Sequence, residues 1–261
     1  MPYLCAGGHR LEYKWIRPHP DRHRAGEQTP ALVFLHEGLG SMALWKDFPE
    51  RVVAATGCPA LVYSRHGYGK SDRLTAPRAV DYMHREALEV LPEVLACLSI
   101  DRPILIGHSD GASIALIYTG VRTVRALVLI APHVFVEEVT VANIRKTRDA
   151  FETTDMRAKL ARYHADPPGA FWGWNNIWLD AQFRRWNIKD CLPGIRCPVL
   201  LLQCEDDPYG SMAQLDAIEH QVGGPVERCI LDEGAHSPHL RQKQKTVRAV
   251  ARFIRQTRER F

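Results

Sequence analysis

Three kinds of side chain with complementary acid–base chemistry each follow an apolar run in this chain: Ser109, the acids Asp206 and Asp207, and the histidines His236 and His239. A serine hydroxyl is a poor nucleophile at neutral pH. It becomes a good one beside an imidazole that takes its proton and later returns it to a leaving group. A carboxylate behind the imidazole fixes its tautomer and stabilises the imidazolium. Together these groups can carry out acyl transfer through a covalent acyl-enzyme.

Ser109 stands in Gly107-His108-Ser109-Asp110-Gly111, directly after the apolar stretch Ile104-Leu105-Ile106. The G-x-S-x-G pattern makes physical sense in a sharp strand-to-helix turn, where side chains on the flanking residues would collide. Ser113 to Tyr118 continue as a helix, so the backbone N–H groups at its start point unpaired toward whatever the serine attacks. That geometry favours an anionic intermediate. The bland alternative is that Ser109 caps this helix.

Positioning such groups requires a scaffold of strands that end on one edge. His9 to Ile16 alternates apolar and polar residues and predicts an edge hairpin with the residues before it; a polar surface loop follows, around Pro18 to Pro30. Ala31–Leu35, Ala60–Ser64, Ile104–Ile106, Ala126–Ile130, Pro198–Gln203 and Val226–Leu231 read as strands, most of them continuously apolar and therefore buried on both faces. Helical stretches are expected over Leu44–Ala55, over Tyr82–Leu98 with a kink at Pro92, over Met212–Gln221 and at the C-terminus. The alternation predicts an α/β fold: a mostly parallel sheet with helices on both faces and ligands at the carboxyl ends of its strands.

Strands stop between about His133 and Leu192, and charged helical segments take over, as in Ala142–Phe151 and Met156–His164. This span reads as an insertion, with the core formed by 1–132 and 193–261. It carries four of the chain's six tryptophans, Trp172, Trp174, Trp178 and Trp186. Aromatic side chains at that density line an apolar pocket or pack the insertion on the core.

The totals exclude several classes. With 261 residues, 46% hydrophobic and 25% charged, the chain has the composition of a folded globular protein with one large core. A net charge of +4 is small, and the basic residues of the last helix are interleaved with Val247, Val250, Phe253 and Ile254. They describe a solvated helix face, and no nucleic-acid partner is expected. Seven cysteines without a C-x-x-C pair read as reduced, mostly buried thiols of a cytoplasmic protein. No leader-like N-terminus or membrane-spanning run is read, so no membrane partner is expected.

From about residue 31 onward the chain resembles the α/β-hydrolase superfamily, in the subgroup with a helical cap inserted after the sixth core strand. Gly107–Gly111 resembles its nucleophile elbow, Arg65-His66-Gly67-Tyr68-Gly69-Lys70-Ser71 its glycine-rich loop after the fourth strand, and Gly234-Ala235-His236-Ser237-Pro238 its histidine loop. The resemblance implies an eight-stranded sheet and a triad in the order Ser109, Asp207, His236. Asp207 is preferred to Asp206 by its place three residues after Cys204, where the family has a glycine; His236 is preferred to His239 because it stands two residues before a proline. An oxyanion hole is implied at the N–H groups of Asp110 and Gly38. Where many members have His-Gly this chain has His36-Glu37, so Glu37 is either a structural acid or a pocket group.

Glu37, His133, Trp172, Trp174 and Trp178 are the expected pocket residues, with His66 a further candidate; His108 reads as structural and His239 as a helix-start residue near the site. The pair His36-Glu37 lacks the second histidine of H-E-x-x-H, and Gly38-Leu39-Gly40 lacks a dinucleotide fingerprint. No metal or cofactor is expected, and the partner is a small-molecule substrate. The resemblance implies a serine hydrolase of the esterase kind. Its alternatives are a carbon–carbon bond hydrolase of the meta-cleavage product type and a non-catalytic ligand-binding relative. A dehalogenase would need aspartate in place of Ser109. The sequence is silent on oligomeric state.

Overall fold

A computed structural model describes residues 2–19 and 29–258. The surface loop expected around Pro18 to Pro30 lies largely outside the described residues. Eight strands form a single sheet in the order β1-β2-β4-β3-β5-β6-β7-β8. They are β1 (Tyr3–Ala6), β2 (His9–Ile16), β3 (Leu32–Leu35), β4 (Ala60–Tyr63), β5 (Ile104–His108), β6 (Ala126–Ile130), β7 (Val199–Cys204) and β8 (Val226–Leu231). β1 pairs with β2, and β2 with β4, antiparallel; every later pairing is parallel. The expected hairpin is therefore the edge of the sheet.

Period-two alternation sends successive side chains to opposite faces. Val33, Leu35, Leu105, Leu127 and Leu129 join one core, with α2 (Tyr82–Arg85), α3 (Leu91–Cys97), α4 (Asp110–Val121) and α8 (Ala213–Gln221) over it. Leu32, Phe34, Ile104, Ile106 and Val128 join the other, covered by α1 (Phe48–Thr56) and α10 (Lys243–Arg258). Burial on both faces is why these strands read as unbroken apolar runs.

Two expectations change in detail. The helix of Tyr82–Leu98 is interrupted one turn before its proline, by π-helical Glu86–Val90. Pro92 has no N–H to give and its ring crowds the carbonyl four residues back, so the turn widens where a smooth kink was expected. The cysteines are less buried than their usual behaviour predicts. None of the seven is in a disulfide, but only Cys58 and Cys204 are buried, whereas Cys5 and Cys97 are exposed, because they sit at the edge strand and a helix end.

Between β6 and β7 the chain builds α5 (Glu138–Thr153), α6 (Met156–Leu160) and α7 (Pro167–Leu179). A single antiparallel bridge, Phe135 to Asn187, and the bond from Ile188 N–H to the Val134 carbonyl (2.9 Å) bring the two ends of this excursion together. α9 (Pro238–Arg241) leads into α10. No helix among the described residues is long and apolar enough to cross a membrane.

Candidate active site

Register brings the chemistry to one edge. Leu35 of β3 lies opposite Gly107, and His108 opposite Ile130 of β6, so the loops after these strands open side by side. Ser109 is the next residue, with φ of 53°, a left-handed conformation that costs a non-glycine residue energy. Its glycine neighbours are sterically required. A Cβ on Gly107 would collide with the backbone of Gly111 and Ala112, and one on Gly111 with the Leu35 carbonyl. The Ser109 side chain makes no helix-capping bond although it holds the N-cap position. A capping serine uses extended backbone and spends its hydroxyl on the helix. Ser109 does neither.

Asp207 and His236 meet beside it. His236 Nδ1 lies 2.9 Å from both Asp207 carboxylate oxygens, and Asp207 also accepts the Tyr209 N–H at 2.8 Å. Burial by itself would raise the Asp207 pKa, but the His236 charge and its hydrogen bond, with the Tyr209 N–H, hold the carboxyl below its ordinary value. Asp206 turns away from the imidazole and takes the N–H groups of Gly234 (3.3 Å) and Ala235 (2.8 Å), fixing the loop that presents His236. His239 is buried in α9 and packs edge-on against His108 at 4.7 Å between centroids.

His108 links three loops. One ring nitrogen lies 3.3 Å from Glu37 Oε2 and the other 2.7 Å from the His236 carbonyl. Burial works against the Glu37 carboxylate, but His108, His36 and His239 outweigh it and hold the group well below the usual carboxylate range. Glu37 thus reaches the site as an acid partnered by His108.

Ser109 and His236 line a cleft with about 540 Å³ of empty space, walled by Glu37, Gly38, Leu39, His133, Thr140, Ile144, Thr147, Met156, Trp174, Trp178 and Tyr209. Most of the wall comes from the insertion. Trp174 and Trp178, four residues apart on α7, share one helix face. Trp174 lies where a side chain on Gly38 would be, and Trp178 Nε1 donates to Asp110 Oδ1 at 3.2 Å.

Trp172 and His66 lie elsewhere. Helical geometry turns Trp172 to the far side of α7, into a groove with Leu74, Pro77 and Arg78. His66 stacks on His9 at 3.5 Å and bonds the Arg73 carbonyl, on the outer side of its loop. His133 does reach the cleft wall, buried, with Nε2 3.0 Å from the Tyr209 carbonyl.

Sequence reasoning missed Tyr209. Its ring packs 4.9 Å from that of His236, its hydroxyl pairs with Thr147 at 2.7 Å, and its carbonyl accepts from Thr140. With Asn143 donating to the Pro208 carbonyl at 2.7 Å, it ties α5 to the acid-bearing loop. A lone tyrosine two residues past an aspartate carries no motif. Only its place after a strand end could have marked it.

Among the described residues no group of three His, Cys, Asp or Glu side chains could hold a metal ion. Neither the Gly38 N–H nor the Asp110 N–H is spent on another described group.

The buried histidines predict a pH effect on stability. Burial above all holds His36 and His239 well below 6.5; the Arg65 charge pushes His36 further down, and His108 does the same to His239. The unfolded chain therefore binds more protons below that pH. Their contribution is complete above pH 6.5 and is lost as the pH falls toward the folded values. Between pH 7.5 and 5.5 these two residues should therefore make the protein less stable as the pH falls, read as a falling urea midpoint at unchanged slope.

Comparison with known proteins gives the same picture. Residues 32–249 match the Alpha/beta hydrolase family. The chain is 25% identical over 253 residues to the mouse protein named serine hydrolase BPHL, covering 90% of this chain and 83% of that one. The enol-lactonase of Burkholderia xenovorans superposes with a TM-score of 0.72 at 18% identity, over 97% of this chain and 99% of its own. An esterase from Exiguobacterium antarcticum superposes with a TM-score of 0.69 at 18% identity, over 97% and 98%. The sheet order, the strained serine between its two obligatory glycines and the match over most of its length lead to one conclusion: the chain belongs to the alpha/beta hydrolase family.

Proposed function

We propose that this protein is a serine hydrolase that cleaves a small carboxylic ester or related acyl compound. The observation that carries the reading is His236 Nδ1 at 2.9 Å from both Asp207 oxygens, in the cleft that Ser109 lines. Ser109 Oγ attacks the carbonyl carbon while its proton passes to His236 Nε2; Asp207, bonded to Nδ1–H, balances the imidazolium. The N–H groups of Gly38 and Asp110 hold the oxyanion. Nε2–H then protonates the leaving alkoxide. A water activated by the same nitrogen opens the acyl-enzyme and restores the hydroxyl.

Residues 133–192 act in this reading as a cap. Leu39, Ile144, Met156, Trp174, Trp178 and Tyr209 give the cleft an apolar lining, which suits a compact apolar or aromatic acyl group. The 25% identical mouse protein, itself named a serine hydrolase, supports the reaction class. Neighbours named as an enol-lactonase and an esterase fit an ester bond.

A fluorophosphonate probe tests the reading directly. The expected result is one adduct per chain on Ser109, located by peptide mass, and none on Ser109→Ala. Equal labelling of the two proteins would remove Ser109 from the mechanism. A panel of p-nitrophenyl esters graded by acyl length and aromaticity then ranks substrates, with turnover of a vinylogous diketone and none of any ester pointing to carbon–carbon cleavage instead.

A further inference from the structure

Directly behind the proposed oxyanion site lies a buried cation that the reaction scheme does not use. Arg65 follows β4 and is completely buried. Its Nη2 donates to the Glu37 carbonyl at 3.0 Å and to the His36 carbonyl at 3.3 Å. The Glu37 carbonyl also accepts the Gly40 N–H at 3.0 Å and a bond from His36 Nδ1 at 2.7 Å. Arg65 sets that last bond too. Its own backbone N–H donates to His36 Nε2 at 3.0 Å, so Nε2 carries the lone pair and Nδ1 the proton.

The carbonyl so held belongs to the same peptide unit as the Gly38 N–H. No peptide bond among the described residues is cis, so this N–H points opposite to the Glu37 carbonyl. Three donors grip the oxygen, and Gly38 lines the cleft. Turning the peptide over would break all three bonds and cost the buried guanidinium its nearest carbonyl acceptor, an expensive change. Bonds to a carbonyl also polarise its amide and strengthen the N–H as a donor.

Burying a cation needs compensation, and the fold supplies it close by. Asp110 Oδ2 lies 3.7 Å from Arg65 Nη2 and accepts the Tyr82 hydroxyl at 2.6 Å. Tyr68 packs under the guanidinium at 5.0 Å from its ring centre. Asp110 is the residue whose N–H is the other proposed donor, so the ion pair joins the two halves of the oxyanion site from behind.

We propose that Arg65 is a positioning residue for the oxyanion site, orienting and polarising the Glu37–Gly38 peptide so that the Gly38 N–H meets the developing oxyanion. Arg65 acts through Gly38 and touches no substrate. The inference rests on the serine-hydrolase reading, and the experiment separates the two.

Wild type, Asp110→Asn, Arg65→Lys and Arg65→Met/Asp110→Asn are compared for ester turnover and for affinity toward a boronic acid, which forms a tetrahedral adduct with the serine. The double variant removes both members of the ion pair and leaves neither Arg65 nor Asp110 as an unpaired buried charge. Its kcat should fall roughly 30- to 100-fold, with KM changed less than about threefold and boronate affinity falling in parallel with kcat. Arg65→Lys keeps the charge but ends one bond short of the Nη2 position that holds both carbonyls, and should fall about tenfold in both readouts. It supplies the test if the double variant does not fold. Asp110→Asn alone sets the baseline for the double variant: the loss beyond it is the share of Arg65, and a double variant no worse than Asp110→Asn overturns the role.

Unchanged kcat in either folded Arg65 variant, or a kcat loss with boronate affinity unchanged, overturns the role of Arg65. Absence of ester turnover and of fluorophosphonate labelling in the wild type instead overturns the hydrolase reading.

Discussion

Replacing Ser109 with alanine is expected to lower kcat by roughly 10⁵- to 10⁶-fold while leaving KM near its wild-type value. The asymmetry follows from what the hydroxyl does. In the proposed mechanism substrate is held mainly by Leu39, Ile144, Met156, Trp174, Trp178 and Tyr209 of the cleft wall, none of which the substitution touches. The lost atom makes its bond to substrate only as the tetrahedral intermediate forms, so its removal appears in the chemical step. Stability should rise slightly or stay level. Alanine at φ 53° keeps the backbone strain that serine already bears, and the serine side chain makes no capping bond to lose. Initial rates and denaturant midpoints on the same preparation check both halves. A Ser109→Ala variant with a tenth of wild-type kcat would place the nucleophile elsewhere.

Asp207→Asn is expected to cost roughly 10⁴-fold in kcat with little change in the fold. In the proposed mechanism Asp207 accepts the proton on His236 Nδ1, 2.9 Å away, which leaves Nε2 to receive the Ser109 proton. An asparagine amide can donate to Nδ1 instead, which would put the ring proton on Nε2, facing serine with nothing to accept it. Geometry survives while the tautomer is wrong. The carboxyl of Asp207 is held below its ordinary pKa, so its share in both activity and stability is present above the unfolded value of 3.8 and fades only as the pH falls through the folded one. The acid limb of the kcat/KM profile should therefore be governed by another group. Asp206→Asn is the control. It loosens the bonds to Gly234 and Ala235 and should cost far less than Asp207→Asn.

The strands, their mostly parallel order and the turn at Ser109 were legible because each leaves a local trace. Buried strands read as apolar runs, and an elbow packed against Leu35 and Ala112 must carry glycine on both sides. The aspartate and histidine were legible as residues at strand ends, and the resemblance chose between neighbours. What stayed hidden depends on direction in space. Trp172 and Trp174 are two positions apart on one helix, and composition does not say which faces the cleft. Arg65 looked like an ordinary member of a glycine-rich loop, since its partners Glu37 and Asp110 lie far from it in sequence. Glu37 likewise showed its chemistry only when His108 was placed beside it.

The pinch between Phe135 and Asn187 has a consequence for how this scaffold can change. The two ends of the excursion are neighbours whatever lies between them, so inserting or deleting residues at its exposed turns adds little beyond a closure entropy. That entropy varies slowly, by about 0.6 kcal/mol for each doubling of loop length. Turns of the segment can thus vary at little cost to the sheet that carries Ser109, while Trp178, bonded to Asp110, and Asn143, bonded to the Pro208 carbonyl, keep its inner face fixed.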